Sequence, residues 1–441
     1  MRLPRSNRKT WALAGVLVVI AAAVAAYAIH ELGKPGNTYH PNVAFNTGAT
    51  TSTTPAKHVN NFAVPFYGNQ ETRTRTFTAI RSLHPPFKLA WKFGGNALLE
   101  FPATIWGNNL YLMDDGATVK RVNIKTGKQI WERHMGTCKG CGLSASSPSL
   151  DVAHKELFVS VLSLKGSTIG AVGGELAAVS MRSGKTLWRF PVASGTESSP
   201  MVVGNSVYFG DQAGTEYSLN IKTGHENWSF ATGGSIKAGA AYYKGQLFFG
   251  NYAGDFYAVN ASSGKPTWTA SPGGEFYSTP AVAYGRVYVG NNNGDAYSFG
   301  ISNGAIAWSR SLGGYVYSGP AVADTPGLGP TVYIGSYDSH LYALNARTGA
   351  TEWQSPYLPA KSPGISGSAT VVNNTVYVST VYSPGSYGFN ARTGGQDFAF
   401  PDGSYTTVIA DRHALFLMGK YVLYKFVPHN AKLPKLRHKK K

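Results

Sequence analysis

Two cysteines, Cys138 and Cys141, stand as Cys-Lys-Gly-Cys and are the only ones in the chain. Three chemistries use that spacing. A redox pair needs a helix N-terminus to lower one thiol pKa, and the flanking residues predict no helix. A zinc site needs two more ligands at matching spacing, and no second cysteine pair exists. A short disulfide stapling a loop fits an oxidising compartment, and this is the favoured reading. Acid–base chemistry has little material, with 22 Asp and Glu in 441 residues. The runs Asn251–Asp255 and Asn291–Asp295 fall where hairpin turns are expected, and turn chemistry accounts for them. The eleven histidines are scattered, and His30, His40, His58, His429 and His438 fall in predicted linkers or tails. No nucleophile–base pair or phosphate-cradling glycine loop stands out. The residues therefore predict no catalytic, cofactor-binding or metal-binding group.

The elements that would position any site come from a repeated phrase. Tyr-Ser-Leu-Asn-Ile-Lys-Thr-Gly-His-Glu-Asn-Trp ends at Trp228, and close copies end at Trp268 and Trp353. Weaker copies end at Trp131, Trp188, Trp308 and, with the Trp replaced, Phe398; an orphan copy of the final strand carries Trp91. Successive steps are 40, 57, 40, 40, 40, 45 and 45 residues, a period that means stacked units. One unit reads as four short strands: residues 199–203, 206–210, 215–220 and 225–229, separated by Gly- and Asn-bearing turns. Such a sheet cannot bury both faces alone, but a ring of them can. After Phe398 come three strands without a fourth, whereas Lys88–Phe93 is a fourth strand without its blade. The sequence thus predicts an all-β, eight-bladed propeller of four-stranded antiparallel blades. Both chain ends close the ring and remove its exposed edges. Deletion through Phe93 is expected to open the ring, and deletion only to about Ala79 to leave it intact.

The pattern [AS]-[LVF]-[ND]-x-x-[TS]-G-x-x-x-W, after a Pro-containing inner strand and Val-Tyr-[VIF]-Gly, resembles the PQQ-type β-propeller repeat. That repeat occurs in quinoprotein alcohol dehydrogenases and in BamB-like assembly proteins, and the likeness covers about residues 86–427. It implies that Trp91, Trp131, Trp188, Trp228, Trp268, Trp308, Trp353 and Phe398 dock one blade on the next. It also implies what an enzyme of the family would need: a calcium site of Glu, Asn and Asp, an Asp base, and insertions that build a quinone pocket. Three consecutive 40-residue steps leave little chain for those insertions. The adjacent-cysteine disulfide often found beside the quinone is absent, since Lys139-Gly140 separates the two cysteines. No cofactor is predicted; pyrroloquinoline quinone with calcium belongs to the oxidoreductase alternative.

Aligning the inner strands on their prolines exposes one variable ring position. It holds Leu99, Ala145, Glu197, Lys237, Tyr277 and Tyr317. Glu197, Lys237, Tyr277 and Tyr317 form a candidate channel-mouth binding site with aromatic anchors and a few polar groups. The alternative is that Glu197 pairs with Lys237 and the tyrosines fill the channel.

The remaining features are an address. Arg2, Arg5, Arg8 and Lys9 form a basic flank over residues 1–10, and Trp11–Ile29 is nineteen residues without a charge. That length spans a bilayer, so a transmembrane signal-anchor helix over 11–29 is predicted, with the N-terminus in the cytoplasm. Cleavage after Ala26-Tyr27-Ala28 and secretion is the alternative. No cysteine follows the apolar run, so the lipid anchor of family assembly lipoproteins is not expected. Residues 30–85 read as a Thr/Ser/Pro-rich linker whose end, around Phe66-Tyr67 and Phe77–Ile80, could drape on the propeller, 86–427 as the propeller and 428–441 as a basic tail. The net charge of +18 divides into +4 on the flank, +6 on the tail and +8 elsewhere. The tail could contact anionic lipid or wall polymer. Nucleic acid is excluded for an exported domain with no basic-aromatic stripe. The function expected is a non-catalytic binding or scaffold module at the cell envelope, its partner an envelope protein or polymer. The alternatives are a quinoprotein-type oxidoreductase and a sensor or wall-carbohydrate-binding domain.

Overall fold

The structure, a computed structural model, describes residues 37–47, 63–95, 97–166, 173–358, 364–381, 385–406 and 408–433. The predicted membrane helix over 11–29 and most of the basic tail lie outside these residues. Among the described residues no helix is long and apolar enough to cross a membrane.

Eight sheets of antiparallel four-stranded meanders form the ring. Their inner strands are Thr104–Trp106, Ser149–Asp151, Met201–Val203, Ala241–Tyr243, Ala281–Ala283, Ala321–Thr325, Thr370–Val372 and Val408–Ala410, numbered here as blades 1 to 8. Blade 8 takes three strands from Val408–Pro428 and its outer strand from Phe87–Gly94, so the predicted closure is present. The register makes the assignment specific. In every blade the third–fourth pairing slips by one residue beside the docking position: at Ser218/Leu219 opposite Trp228 in blade 3, and at Lys425/Phe426 opposite Trp91 in blade 8. A bulge at one place in all blades increases local twist and aims the aromatic ring sideways at the next blade.

Each third–fourth turn is built by its own residues. In blade 3, Asn220 Oδ1 accepts from the backbone N–H groups of Lys222 and Thr223, and the Gly224 N–H bonds back to the Asn220 carbonyl. This side-chain turn explains the repeated Asn-x-x-Thr/Ser-Gly. Gly224 has φ +71°, and a Cβ there would lie 2.7 Å from the ring of Trp188. The glycine therefore serves the turn and the neighbouring blade at once.

The main departure from expectation is the predicted linker. Residues 63–77 run around the inside of the channel and plug it. Ala63–Val64 pairs with the inner strand of blade 1, and Thr76–Phe77 pairs parallel with that of blade 7. Between them, carbonyls of Pro65, Glu71, Thr72 and Thr74 accept from Leu150, Tyr242, Val282 and Val322 of blades 2, 4, 5 and 6. Inner strands have one unpaired edge facing the channel, and the plug satisfies it blade by blade. Two fully buried arginines fasten it. Arg73 donates to the carbonyls of Ala240 (2.5 Å) and Ser199 (3.0 Å), and Arg75 to those of Pro320 (2.9 Å) and Thr279 (3.1 Å). Burial, then repulsion from Arg75, pulls the Arg73 guanidinium down to about 9, still charged at neutral pH. Residues 37–47 also pack, with Thr38–Tyr39 as a fifth strand on blade 5. The linker boundary at residue 85 is thus corrected, and so is the expectation that a deletion to Ala79 leaves the ring untouched.

Candidate functional site

The plug divides the channel into two ends. First–second and third–fourth turns meet at one rim, where the Ile221 N–H bonds the Asn205 carbonyl and that of Ala261 the Gly245 carbonyl. This is the plug rim. Second–third turns and interblade connections meet at the other, where Gln212 bonds Gly195, Tyr252 bonds Ser235, and Tyr337 bonds Tyr315. Here the channel opens as a funnel floored by Tyr67 of the plug.

All four residues of the predicted mouth line this funnel. Glu197 is 7% exposed and accepts from Gln212 Nε2 (2.6 Å), Lys237 Nζ (3.3 Å) and the Tyr277 hydroxyl (3.1 Å). Lys237 Nζ sits 5.0 Å from the Tyr252 ring centre and 5.9 Å from that of Tyr277. Tyr277 meets Tyr317 edge to face at 5.1 Å, and Tyr317 meets Tyr337 at 5.0 Å. Burial, then the Glu197 and Glu100 charges, holds the Tyr277 hydroxyl well above its ordinary range, so it stays protonated and donates. The quartet is brought together, but its polar groups satisfy one another. The free space among them is about 40 Å³, room for a few waters.

Sequence reasoning missed three neighbours. Glu100, not Leu99, faces the funnel in blade 1, and Leu99 is buried in the core. The inner connection of blade 1 is offset by one residue, and alignment on Pro102 could not see that. Tyr67 comes from the plug, where the aromatic pair Phe66-Tyr67 signals contact with the propeller but not a place in the funnel. Tyr315 carries one, since it lies two residues before Tyr317, and it is 54% exposed at the rim.

Glu100 and Asp115 give the funnel a pH response. Burial, then repulsion from Glu197, pushes Glu100 up to about 7. Burial, then Glu100 and Asp114, pushes Asp115 up to about 8. A carboxyl raised in the folded state stabilises the fold below its unfolded pKa and loses that contribution as pH rises through its folded value. Stability should therefore fall between about pH 4 and pH 8 through these groups. Asp115→Asn should flatten that fall and raise stability at pH 8 by on the order of 1 kcal/mol. Chemical denaturation at several pH values measures it, and an unchanged slope refutes it.

The docking aromatics lie at blade junctions, away from the funnel. Trp Nε1–H donates to the next blade's third–fourth turn throughout: Trp91 to Ile124 (3.1 Å), Trp131 to Met181 (3.3 Å), Trp188 to Ile221 (2.7 Å) and Trp228 to Ala261 (2.9 Å). Trp268 bonds Ile301 (2.9 Å), Trp308 bonds Ala346 (3.0 Å) and Trp353 bonds Ala391 (2.8 Å). Phe398 packs instead on Phe87 (5.6 Å) and Phe426 (6.2 Å). At that junction the third and fourth strands are the chain's two ends, so no turn carbonyl exists for an indole.

Cys138 and Cys141 meet as a disulfide in the connection between blades 1 and 2, Cα atoms 5.4 Å apart, which is ordinary for such a bond. Cys138 is exposed and Cys141 buried.

A metal or quinone finds little here. Among the described residues no three His, Cys, Asp or Glu side chains converge as a metal site requires. A ligand of drug size takes a cavity of about 300 Å³ or more. The funnel's roughly 40 Å³, with Lys237 already committed to Glu197, does not fit pyrroloquinoline quinone.

The same fold recurs among solved structures. BamB from Moraxella catarrhalis is 17% identical, with a TM-score of 0.64 over 79% of this chain and 99% of that one. Quinohemoprotein alcohol dehydrogenase from Comamonas testosteroni is 14% identical, with a TM-score of 0.67 over 85% and 82%. A europium-containing methanol dehydrogenase is 12% identical, with a TM-score of 0.65 over 83% and 98%. At these identities the likeness is one of fold. No curated protein matches the sequence. The family model described as outer membrane protein assembly factor BamB matches residues 115–236 and 217–421. With its docking tryptophans, turn glycines and eight closed blades all in that pattern, this chain belongs to the BamB family of PQQ-like β-propellers.

Proposed function

We propose that this chain is a non-catalytic binding or scaffold module of the cell envelope, held by a membrane anchor over residues 11–29. The observation that carries this reading is the plugged channel. A propeller enzyme needs a cavity at the channel mouth, and here the plug floors it and the funnel's own groups fill it. The fold is shared with assembly factors and dehydrogenases alike, so the likeness alone favours neither. The partner, an envelope protein or polymer, would meet the funnel rim, where Tyr315 is exposed over the Tyr317–Tyr337 pair. Cys138 and Cys141 would staple the neighbouring connection in an oxidising space.

Purified protein mixed with pyrroloquinoline quinone and calcium should give no quinone absorbance shift and no alcohol- or sugar-dependent dye reduction. A saturable shift with turnover would replace this reading with the oxidoreductase. A photo-crosslinker at Tyr315 in native membranes should then capture the partner. A wall glycan in place of a protein would favour the carbohydrate-binding alternative.

A further inference from the structure

The ring is polarised along its axis. Strand direction puts every third–fourth turn on the plug rim, and those turns carry exposed cations: Lys125, Arg182, Lys222, Lys265, Arg347 and Arg392, in blades 1, 2, 3, 4, 6 and 7. The carboxylates at this rim are Glu71 of the plug, Asp151, Glu156, Asp324 and Asp411 beside first–second turns, and Glu226, Glu352 and Asp397 early in fourth strands, while exposed Lys128, Lys155, Lys185, Lys244 and Arg412 add to the turn cations. Asp151 and Asp411 accept backbone N–H groups of their own turns. The funnel rim differs. Asp255, Glu275 and Asp338 lie part-exposed on it, Asp211 and Asp295 are buried beneath them, and Lys139, Lys165, Lys237 and Lys420 lie among them.

Chain exit adds charge to the same side. The third strand of blade 8, Val422–Pro428, runs from the funnel rim to the plug rim, as every third strand does. The chain beyond it carries Lys432, Lys435, Arg437, Lys439, Lys440 and Lys441. The N-terminal tether permits either orientation. It enters at Asn37, which bonds the Ser311 N–H at the funnel end of blade 5's outer strand, and then runs to the plug rim, where the Asn46 N–H bonds Tyr284. The residues between Ile29 and Asn37 reach at most about 28 Å, longer than a six-residue strand of about 20 Å. Charge therefore decides.

We propose that the plug rim is a docking face for an anionic lipid surface, so that the propeller stands on the membrane with its funnel turned away. This rests on the anchor reading for proximity and is independent of what the funnel binds. Each Lys or Arg brought to an anionic leaflet is attracted to it, and the attraction fades over a screening length of about 8 Å. A ring of six with a basic tail is ample to orient a tethered domain, and among the described residues the funnel rim carries no comparable ring of cations.

The full chain is reconstituted into vesicles of phosphatidylcholine, alone or mixed with phosphatidylglycerol, with nitroxide-labelled headgroups as quencher. A fluorescent residue replaces either Asn205 on the plug rim or Ala213 on the funnel rim, both in exposed turns of blade 3. In anionic vesicles quenching at 205 should exceed that at 213 by at least about threefold, given the screening length. High salt, applied to the labelled proteins with all their cations intact, should abolish the difference. So should the combined variant Lys125→Glu, Arg182→Glu, Lys222→Glu, Lys265→Glu and Arg392→Glu, with an unchanged unfolding midpoint. Equal quenching at the two sites, or a contrast equally large in phosphatidylcholine alone, overturns the proposal. Release of the chain from membranes by high salt, with the contrast present at low salt, would sink the anchor and keep the docking face.

Discussion

Arg73→Ala should lower stability by about 2–4 kcal/mol, the cost of leaving buried carbonyls without their donor. The side chain is completely buried and donates to carbonyls from the connections leading into blades 3 and 4 and from the plug itself. Truncation leaves those carbonyls in a dry channel with no donor, which is costlier than the mean worth of the bonds. Arg73→Lys should recover only part of the loss, because one ammonium cannot span acceptors that a guanidinium fork reaches together. A chain beginning at Pro86 keeps the closing strand and loses the whole plug, and it should unfold at a still lower temperature. Thermal unfolding of the three proteins is the measurement. An unchanged midpoint for Arg73→Ala would mean that the plug lies in the channel without supporting the ring.

The second large effect is at a blade junction. Trp228 is half-buried, so Trp228→Ala should cost about 2–4 kcal/mol, somewhat less than truncation of a fully buried aromatic. Gly264→Ala attacks the same contact from the other side. The new Cβ would lie 2.7 Å from the Trp228 ring, at a residue whose φ is +71°. Left-handed backbone costs a non-glycine residue about 1–2 kcal/mol, and overpacking adds about 1–3. Trp228→Phe should cost about 1 kcal/mol for the lost indole hydrogen bond, since the Tyr208 hydroxyl still donates to the Ala261 carbonyl. Phe398→Trp should gain nothing, since its junction lacks a turn to accept the indole N–H. A stabilising Phe398→Trp would show that the replacement there has another cause.

The ring itself was legible in the sequence because its cause is local. Asn220 folds its own turn, Gly224 takes the one conformation that turn requires, and Trp228 follows four residues later. Repetition of that local rule gives blade number, strand order and closure by Lys88–Phe93 without long-range information. The candidate mouth was legible for a related reason: equal positions in equal strands must face the same space, so Glu197, Lys237, Tyr277 and Tyr317 had to converge. The sequence could not say that their groups would satisfy one another, because that depends on distances of about 3 Å between blades. Nor could it show Glu100, displaced by a one-residue offset. The aromatic residues around Phe66-Tyr67 and Phe77–Ile80 hinted at contact with the propeller, but not at a path through its channel. Phe66, Arg73 and Arg75 obey no strand or helix period, since their backbone pairs with six different blades and bends at each. The low apolar content belongs to Asn46–Pro55, and for the residues after it only the closed ring supplies the row of unpaired inner edges that gives such a segment a reason to be inside. Periodic hydrogen bonding within a blade is written in the chain; pairing of an irregular segment with the channel is decided by the tertiary structure, which alone creates the acceptors and donors it meets.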